Sequence, residues 1–115
     1  MPGRDPLILI DDILTAAHRA DDYVTGLDFD GFLADQRTID ATVRNLEIIG
    51  EACRQLPDDF RNRHLDIPWR QISGLRNRIV HDYFNVDLEI VWDIVTVDLP
   101  QLVIEIAKLK DPGEG

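Results

Sequence analysis

The chain has 115 residues, 44% hydrophobic and 30% charged, which fits one domain with a real core and argues against a disordered or fibrous protein. Its formal net charge of −10 argues against non-specific nucleic-acid binding by the whole surface. The single Cys53 cannot form an internal disulfide, and no apolar run suffices for a membrane span or a signal-peptide core, so we expect a cytoplasmic protein.

The first two helices are predicted from apolar residues that recur every three or four positions. The first covers about residues 7–24 and closes at Gly26, a residue type that commonly ends helices. The second runs from about Leu33 or Asp35 to Leu56. Its apolar positions follow a nearly heptad spacing, which predicts that this helix packs lengthwise against another.

The middle of the chain predicts one short and one longer helical element. Pro57 ends the second helix, and residues 58–64 are expected to form a short helical turn. The third helix is predicted from about Trp69 to Asp82. Its buried stripe is expected to consist of Ile72, Leu75 and Ile79.

The fourth helix is predicted to begin at the N-cap Asp87 and to continue to about Lys110. Pro100 lies inside this pattern and should kink the helix or split it in two. No stretch alternates apolar and polar residues long enough to require a strand. The sequence therefore predicts an all-α antiparallel bundle of four to five helices, one domain over residues 1–115 with a frayed tail at 111–115.

The third helix contains the residues best suited to chemistry. Arg76, Asn77, His81 and Tyr83 supply a guanidinium, an amide, an imidazole and a phenol within a short segment. Arginine suits bidentate phosphate binding, and histidine titrates near neutral pH and can move protons. These two roles suffice in principle to cleave RNA without a metal, because the 2′-hydroxyl is the internal nucleophile. The enzyme then supplies a base, an acid and positive charge.

The spacing of these residues also bears on oligomeric state. On an unbroken helix Asn77 and His81 share a face, whereas Arg76 and His81 point about 140° apart. One helix then does not easily aim both at a single phosphate. Two copies related by a two-fold axis could place Arg76 of one copy beside His81 of the other, so the spacing favours a site completed by a homodimer.

The bare pattern has an ordinary structural explanation as well. Arginine and histidine occur at this spacing by chance in many helices. A histidine near a helix C-terminus is stabilised by the helix dipole, and one basic segment, residues 61–81, could be a solvated face or a docking patch instead of a phosphate site.

The segment Arg76-Asn77-(three residues)-His81-Asp82-Tyr83 resembles the Arg-x4-His-x-Tyr signature of the HepT-like toxins, a branch of the HEPN superfamily. Residues 44–52 are similar to the second-helix signature of that family, and residues 67–72 and 86–92 resemble its flanking segments. Together the resemblance covers nearly the whole chain, which makes it specific.

The resemblance implies a HEPN-like helical fold, a homodimer and metal-independent endoribonuclease activity. Arg76 and His81 would be catalytic, with Asn77 and Tyr83 supporting the site and no cofactor required. It also implies a toxin whose cognate antitoxin is a small nucleotidyltransferase of the MNT type. In some such pairs the antitoxin adds AMP to the signature tyrosine, here Tyr83.

Two other functions remain open. The chain could be a non-catalytic helical subunit that docks on a nucleotidyltransferase, which the acidic surface favours, or a generic helical dimer. An intact Arg-x4-His favours the enzyme, because a docking module would not need it. Arg44 and Glu47 on the polar side of the second helix are interpreted as a surface pair, with a position lining the dimer groove as the alternative.

Two sets of residues are given structural interpretations. Trp69 and Trp92 are expected to be core or helix-contact residues. The paired aspartates have no histidine at ligand spacing and are interpreted as solvated helix-end acids, not metal ligands; they are Asp11-Asp12, Asp21-Asp22 and Asp58-Asp59.

Overall fold

The computed structural model describes residues 5–80 and 85–110, and these are almost entirely helical, which confirms the predicted all-α bundle. Within these ranges no helix is long and apolar enough to cross a bilayer. In chain order the α-helices are α1 (Pro6–Val24), α2 (Phe29–Leu33), α3 (Gln36–Gln55), α4 (Asp58–Asn62), α5 (Trp69–Ser73), α6 (Leu75–Ile79), α7 (Leu88–Asp93) and α8 (Leu99–Ala107).

The two long helices, α1 and α3, form the centre of the bundle. Each begins at an aspartate N-cap: Asp5 accepts a hydrogen bond from the Leu7 amide at 2.8 Å, and Asp35 accepts one from Thr38 at 3.1 Å. The Thr38 amide stabilises the carboxylate and lowers the pKa of Asp35. The two helices pack extensively against each other, which confirms the predicted lengthwise contact.

The link between α1 and α3 contains a helix that the apolar spacing did not reveal. Gly26 adopts a φ of +85°, which allows the turn after α1. Asp28 then caps α2 by accepting a hydrogen bond from the Gly31 amide at 2.8 Å. Phe32 of α2 is fully buried, and its ring lies 5.3 Å from that of Trp92, so α2 closes one end of the core.

The prediction of one helix from Trp69 to Asp82 is wrong in its continuity and its end. Gly74 separates α5 from α6, and α6 ends at Ile79 because Val80 has an extended backbone with φ −100° and ψ 115°. The expected buried stripe is confirmed, since Ile72, Leu75 and Ile79 are all buried despite the break.

Helix α5 lies against α3 at a point where α3 has no side chain. A Cβ on Gly50 would stand 3.3 Å from the Ile72 carbonyl oxygen and 3.6 Å from that of Ser73. Trp69 fixes the start of α5 by donating its indole N–H to the His64 carbonyl at 2.9 Å. The glycine therefore sets how closely the α5–α6 pair approaches α3.

The C-terminal helix is continuous through Pro100, so the predicted split does not occur. Asp87 is the N-cap, as predicted, and accepts a hydrogen bond from the Ile90 amide at 3.1 Å. Residues Ile94–Asp98 form a π-helical turn before α8, and Lys108–Lys110 add a 3₁₀ turn after it. The wider π turn accommodates a proline ring that would clash with the carbonyl four residues earlier in a regular α-helix.

We expect Gly50→Val to destabilise the fold by about 1–3 kcal/mol, because the new side chain must displace carbonyl oxygens of α5. Urea unfolding followed by circular dichroism measures this difference. The exposed Ala107→Val is the control and should cost no more than about 0.7 kcal/mol, the difference in helix propensity. Equal effects of the two substitutions would contradict the close approach at Gly50.

We expect the Cys53 thiol of the native protein to resist DTNB at pH 8. Burial raises its pKa to about 11, and the thiolate is the reactive form. Its sulfur is buried 3.4 Å from the Trp69 carbonyl, so the reagent also lacks access. Guanidinium should restore a normal reaction rate, and rapid labelling of the native protein would show that the contact between α3 and α5 opens readily.

Candidate functional site

Arg76 projects from α6 towards the polar side of α3. Its side chain is 64% exposed, and its Nε lies 3.8 Å from Oε2 of Glu47. This contact engages one edge of a guanidinium that carries five N–H donors. The remaining donors can therefore bind an anion. Glu47 pairs with Arg76 and not with Arg44, so the interpretation of Arg44 and Glu47 as a surface pair is wrong.

The two arginines of α6 face different sides of the molecule. The Nη2 of Arg78 lies 3.6 Å from Oδ2 of Asp98 in the π turn, on the opposite side of α6 from α3. Asn77 between them is exposed. Of the two arginines on α6, Arg76 alone therefore lies beside α3.

The end of α6 is joined to the start of the next helix by a short backbone pairing. Val80 and Val86 form an isolated antiparallel bridge, and the Asp87 amide donates to the Ile79 carbonyl at 2.6 Å. The chain therefore lies at adjacent points just before residue 81 and just after residue 85. His81 and Tyr83, two of the predicted site residues, lie in this stretch and outside the described residues.

The geometry that we predicted for a single helix does not apply. Arg76 and His81 were expected about 140° apart on one helix, and Asn77 and His81 on one face. Both relations require helical backbone through residue 81, whereas α6 ends at Ile79. The angle between Arg76 and His81 therefore no longer supports a site shared between two copies. The predicted homodimer rests on the family resemblance instead.

A cleft of about 230 Å³ separates α3 from α6 beside Arg76. We call it the α3–α6 cleft. Its wall on α3 includes the backbone at Gly50. Its charged lining residues are three arginines and two glutamates, namely Arg44, Arg54, Arg76, Glu47 and Glu51.

A second cleft of about 410 Å³ continues the first along α3. The two share Arg44 and Glu47, and the second extends to Asn85 and Val86, where the chain returns after the bridge. Together they form what we call the α3 groove. Arg76 lines one part of this groove, and the backbone that follows the His81–Tyr83 stretch lines the other.

A larger cleft lies elsewhere. It measures about 800 Å³, lies between the α5–α6 pair and α8, and has a mainly hydrophobic wall that includes Leu75 and Leu102. Arg78 lines it, but Arg76 does not. We assign the site to the smaller α3 groove, because that groove contains the exposed guanidinium of the motif.

Sequence reasoning found part of this groove. The resemblance of residues 44–52 to a family signature pointed to α3, and Arg44, Glu47, Gly50 and Glu51 all line the groove. It did not single out Arg54, which lies just beyond that signature; the signal available was its spacing of three from Glu51. Within residues 5–80 and 85–110 no three His, Cys, Asp or Glu side chains are grouped to hold a metal ion.

Comparison with known proteins gives consistent matches. The family model described as ribonuclease HepT-like matches residues 13–109. “Putative RNase MJ0127” of Methanocaldococcus jannaschii is 38% identical over 115 residues, covering 100% of this chain and 95% of that protein. “Probable ribonuclease HepT” of Thermococcus cleftensis is 38% identical, covering 88% of this chain and 92% of that protein. No solved structure gives a significant match. The chain belongs to the HepT-like ribonuclease family.

Proposed function

We propose that this protein is an endoribonuclease that cleaves RNA with Arg76 and His81 and acts as the toxin of a toxin–antitoxin pair. One observation carries the proposal: the motif arginine is not in the core but stands exposed in an open groove. Family membership and the relatives named as ribonucleases support the same activity. The groove also reaches Asn85 and Val86, which follow His81 by four and five residues in the chain.

The proposed reaction is attack of the ribose 2′-oxygen on the adjacent phosphorus. The O2′–P bond forms, the P–O5′ bond breaks, and the products are a 2′,3′-cyclic phosphate and a free 5′-hydroxyl. His81 takes the proton from the 2′-hydroxyl or gives one to the leaving oxygen. Arg76 holds the phosphate and offsets the charge that develops on its oxygens. Asn77 and Tyr83 support this arrangement.

Metal independence follows from the chemistry of these side chains. A guanidinium supplies the positive charge that a metal ion supplies in other nucleases, and an imidazole moves the protons. The nucleophile belongs to the substrate, so no metal-bound water needs to be activated. Cleavage should therefore proceed in excess EDTA.

We also propose that two copies of the chain complete the site, as the resemblance implies. Arg76 from one copy would act with His81 from the other. In this arrangement each dimer has two equivalent sites, and a monomer has none.

The proposed antitoxin is a small nucleotidyltransferase of the MNT type that adds AMP to Tyr83. Tyr83 lies two residues after His81 in the chain. An adenylate at this position would add bulk and negative charge close to the motif. It would therefore repel a substrate phosphate from Arg76 by charge as well as by occupying space.

A second candidate is a non-catalytic subunit that docks on a nucleotidyltransferase. The net charge of −10 favours this candidate, since most of the surface would repel RNA. The exposed Arg76 favours the enzyme, because an arginine in an open groove has no structural purpose in a docking module.

We expect Arg76→Ala to lower the cleavage rate by about 10²–10³-fold and His81→Ala by about 10²–10⁴-fold. Arg76→Lys should also be weak, because an ammonium cannot form the planar bidentate contact. The measurement uses a labelled RNA in EDTA and scores the cyclic phosphate end. Loss of wild-type activity in EDTA with rescue by magnesium would contradict the proposed chemistry.

The controls separate catalysis from folding. Arg61→Ala removes an arginine that pairs with Asp58 and lines none of the clefts, so it should change cleavage only mildly. Each variant should keep the circular dichroism spectrum of the wild type, since Arg76 is exposed. If folded Arg76→Ala and His81→Ala proteins still cleave RNA like wild type, the docking subunit replaces the enzyme as the proposed function.

Mixing the two inactive variants tests the composite site. We expect the wild type to have a mass near twice 13.1 kDa by light scattering. A heterodimer of Arg76→Ala and His81→Ala keeps one intact composite site, so it should recover about half of the wild-type activity. A monomeric wild type, or an inactive heterodimer of confirmed composition, would show that Arg76 and His81 do not act across a dimer.

A further inference from the structure

We propose that Arg44 and Arg54 of α3 bind phosphates of the RNA strand on either side of the phosphate held by Arg76. The α3–α6 cleft would then be a subsite for the substrate backbone and not only the place where Arg76 is exposed. This inference rests on the proposed ribonuclease function, because it takes the molecule bound in the groove to be the RNA substrate. It adds two binding residues that the Arg-x4-His motif does not contain.

The first argument is the position of these residues on α3. Arg44, Glu47, Glu51 and Arg54 follow one another in steps of three, four and three, so they form a single stripe along the helix. Arg44 and Arg54 are about 15 Å apart along the helix axis. Arg76 reaches the same cleft from α6, opposite Glu47. Two guanidinium groups from α3 and one from α6 therefore line the same cleft.

The second argument is that Arg44 lacks a carboxylate partner. In the described parts of the chain, the carboxylates of the stripe pair with the other two arginines, and Arg44 forms no ion pair. Arg44 is exposed at the junction of the two clefts of the groove. In a protein with 22 acidic and only 12 basic residues, an arginine without an acidic neighbour in contact is available to an external anion.

The third argument is that the other two arginines are only loosely held. The Nε of Arg54 lies 3.9 Å from Oε2 of Glu51, and both side chains are about half exposed or more. The Arg76–Glu47 contact at 3.8 Å is similar. Exposed pairs at such distances contribute little stability, so a phosphate can replace the carboxylate at small cost. The glutamates also repel phosphate, which limits binding to sites where a guanidinium faces the strand.

The groove gives the bound strand a direction. From Arg44 it continues to Asn85 and Val86, beside the point where the chain returns from the His81 stretch. Its lining there combines hydrophobic and amide side chains, including Val43 and Gln36, with the carboxylate of Asp40, which accepts a hydrogen bond from the Gln36 amide at 2.8 Å. A strand whose phosphates contact α3 would therefore run from the α3–α6 cleft towards Asn85 and Val86.

Binding of an uncleavable strand tests the inference without the reaction. The probe is a fluorescent 2′-O-methyl RNA oligonucleotide, which lacks the nucleophilic hydroxyl, and the readout is anisotropy over a range of salt concentrations. Arg44→Ala and Arg54→Ala should each weaken binding by about tenfold. Each should also reduce the slope of log affinity against log salt by about 0.7, the contribution of one phosphate contact on a single strand.

Two matched variants make the result specific to the groove. Arg19→Ala removes the same charge from an exposed position on α1 that lines none of the clefts, and it should leave the slope unchanged. Glu51→Gln removes a repulsive carboxylate from the cleft and should tighten binding. Circular dichroism checks that each exposed substitution preserves the fold.

The outcomes separate this inference from the proposed function. If wild type cleaves RNA while Arg44→Ala and Arg54→Ala bind and cleave equally well, the phosphate subsite is wrong and the ribonuclease stands. If wild type binds the probe through Arg44 and Arg54 but cleaves no RNA, the subsite stands as an RNA-binding site and the proposed function fails. A wild type that does not bind the probe overturns the subsite directly.

Discussion

The close contact between α3 and α5 at Gly50 is the constraint on which the site depends. With a carbonyl oxygen 3.3 Å from where a Cβ would stand, α3 meets the backbone of α5 directly. Helix α6 follows α5 after the single residue Gly74, so the contact between α3 and α5 also fixes the position of α6. Arg76 consequently reaches across to Glu47, one turn before Gly50 on α3. A bulkier residue at the contact would widen the groove and move the guanidinium away from the strand path.

Two faces of α3 have different roles. One face of α3 is hydrophobic and fully buried, with Leu46, Ile49 and Cys53 in the core against its neighbours. The adjacent stripe is charged and lines the groove. Because the buried face fixes the rotation of the helix, the charged stripe is held at a constant angle to Arg76. An acidic protein can in this way present a few cations at set positions without a basic surface, which would limit binding of the proposed RNA substrate to strands that fit the groove.

The sequence was sufficient to predict the elements whose positions follow from the spacing of hydrophobic residues. The long helices, the cap at Asp87 and the core positions of Trp69 and Ile79 could all be predicted from spacing and residue type. Helix α2 could not, because five residues with one buried side chain, Phe32, carry no periodicity.

The spacing of apolar residues also did not reveal where the long helices are interrupted. The stripe Ile72–Leu75–Ile79 keeps helical spacing across the break at Gly74, so the pattern looks continuous where the backbone is not. Pro100 predicted a kink or a split, and the split does not occur, because the π turn before it relieves the clash without ending the helix. For the site, the motif identified Arg76, whereas Arg54 became visible only when α6 was placed beside α3. That placement depends on a tertiary contact.

Because Val80 pairs with Val86, the packing of the bundle does not depend on the number of residues between them. Both ends of the intervening five residues are fixed by the bridge and by the bond between the Asp87 amide and the Ile79 carbonyl. Residues added between these anchors would not displace α6 or α7. Their entropic cost would grow only slowly, by about 0.6 kcal/mol for each doubling of length. The scaffold that orients Arg76 therefore does not itself fix the length of this stretch.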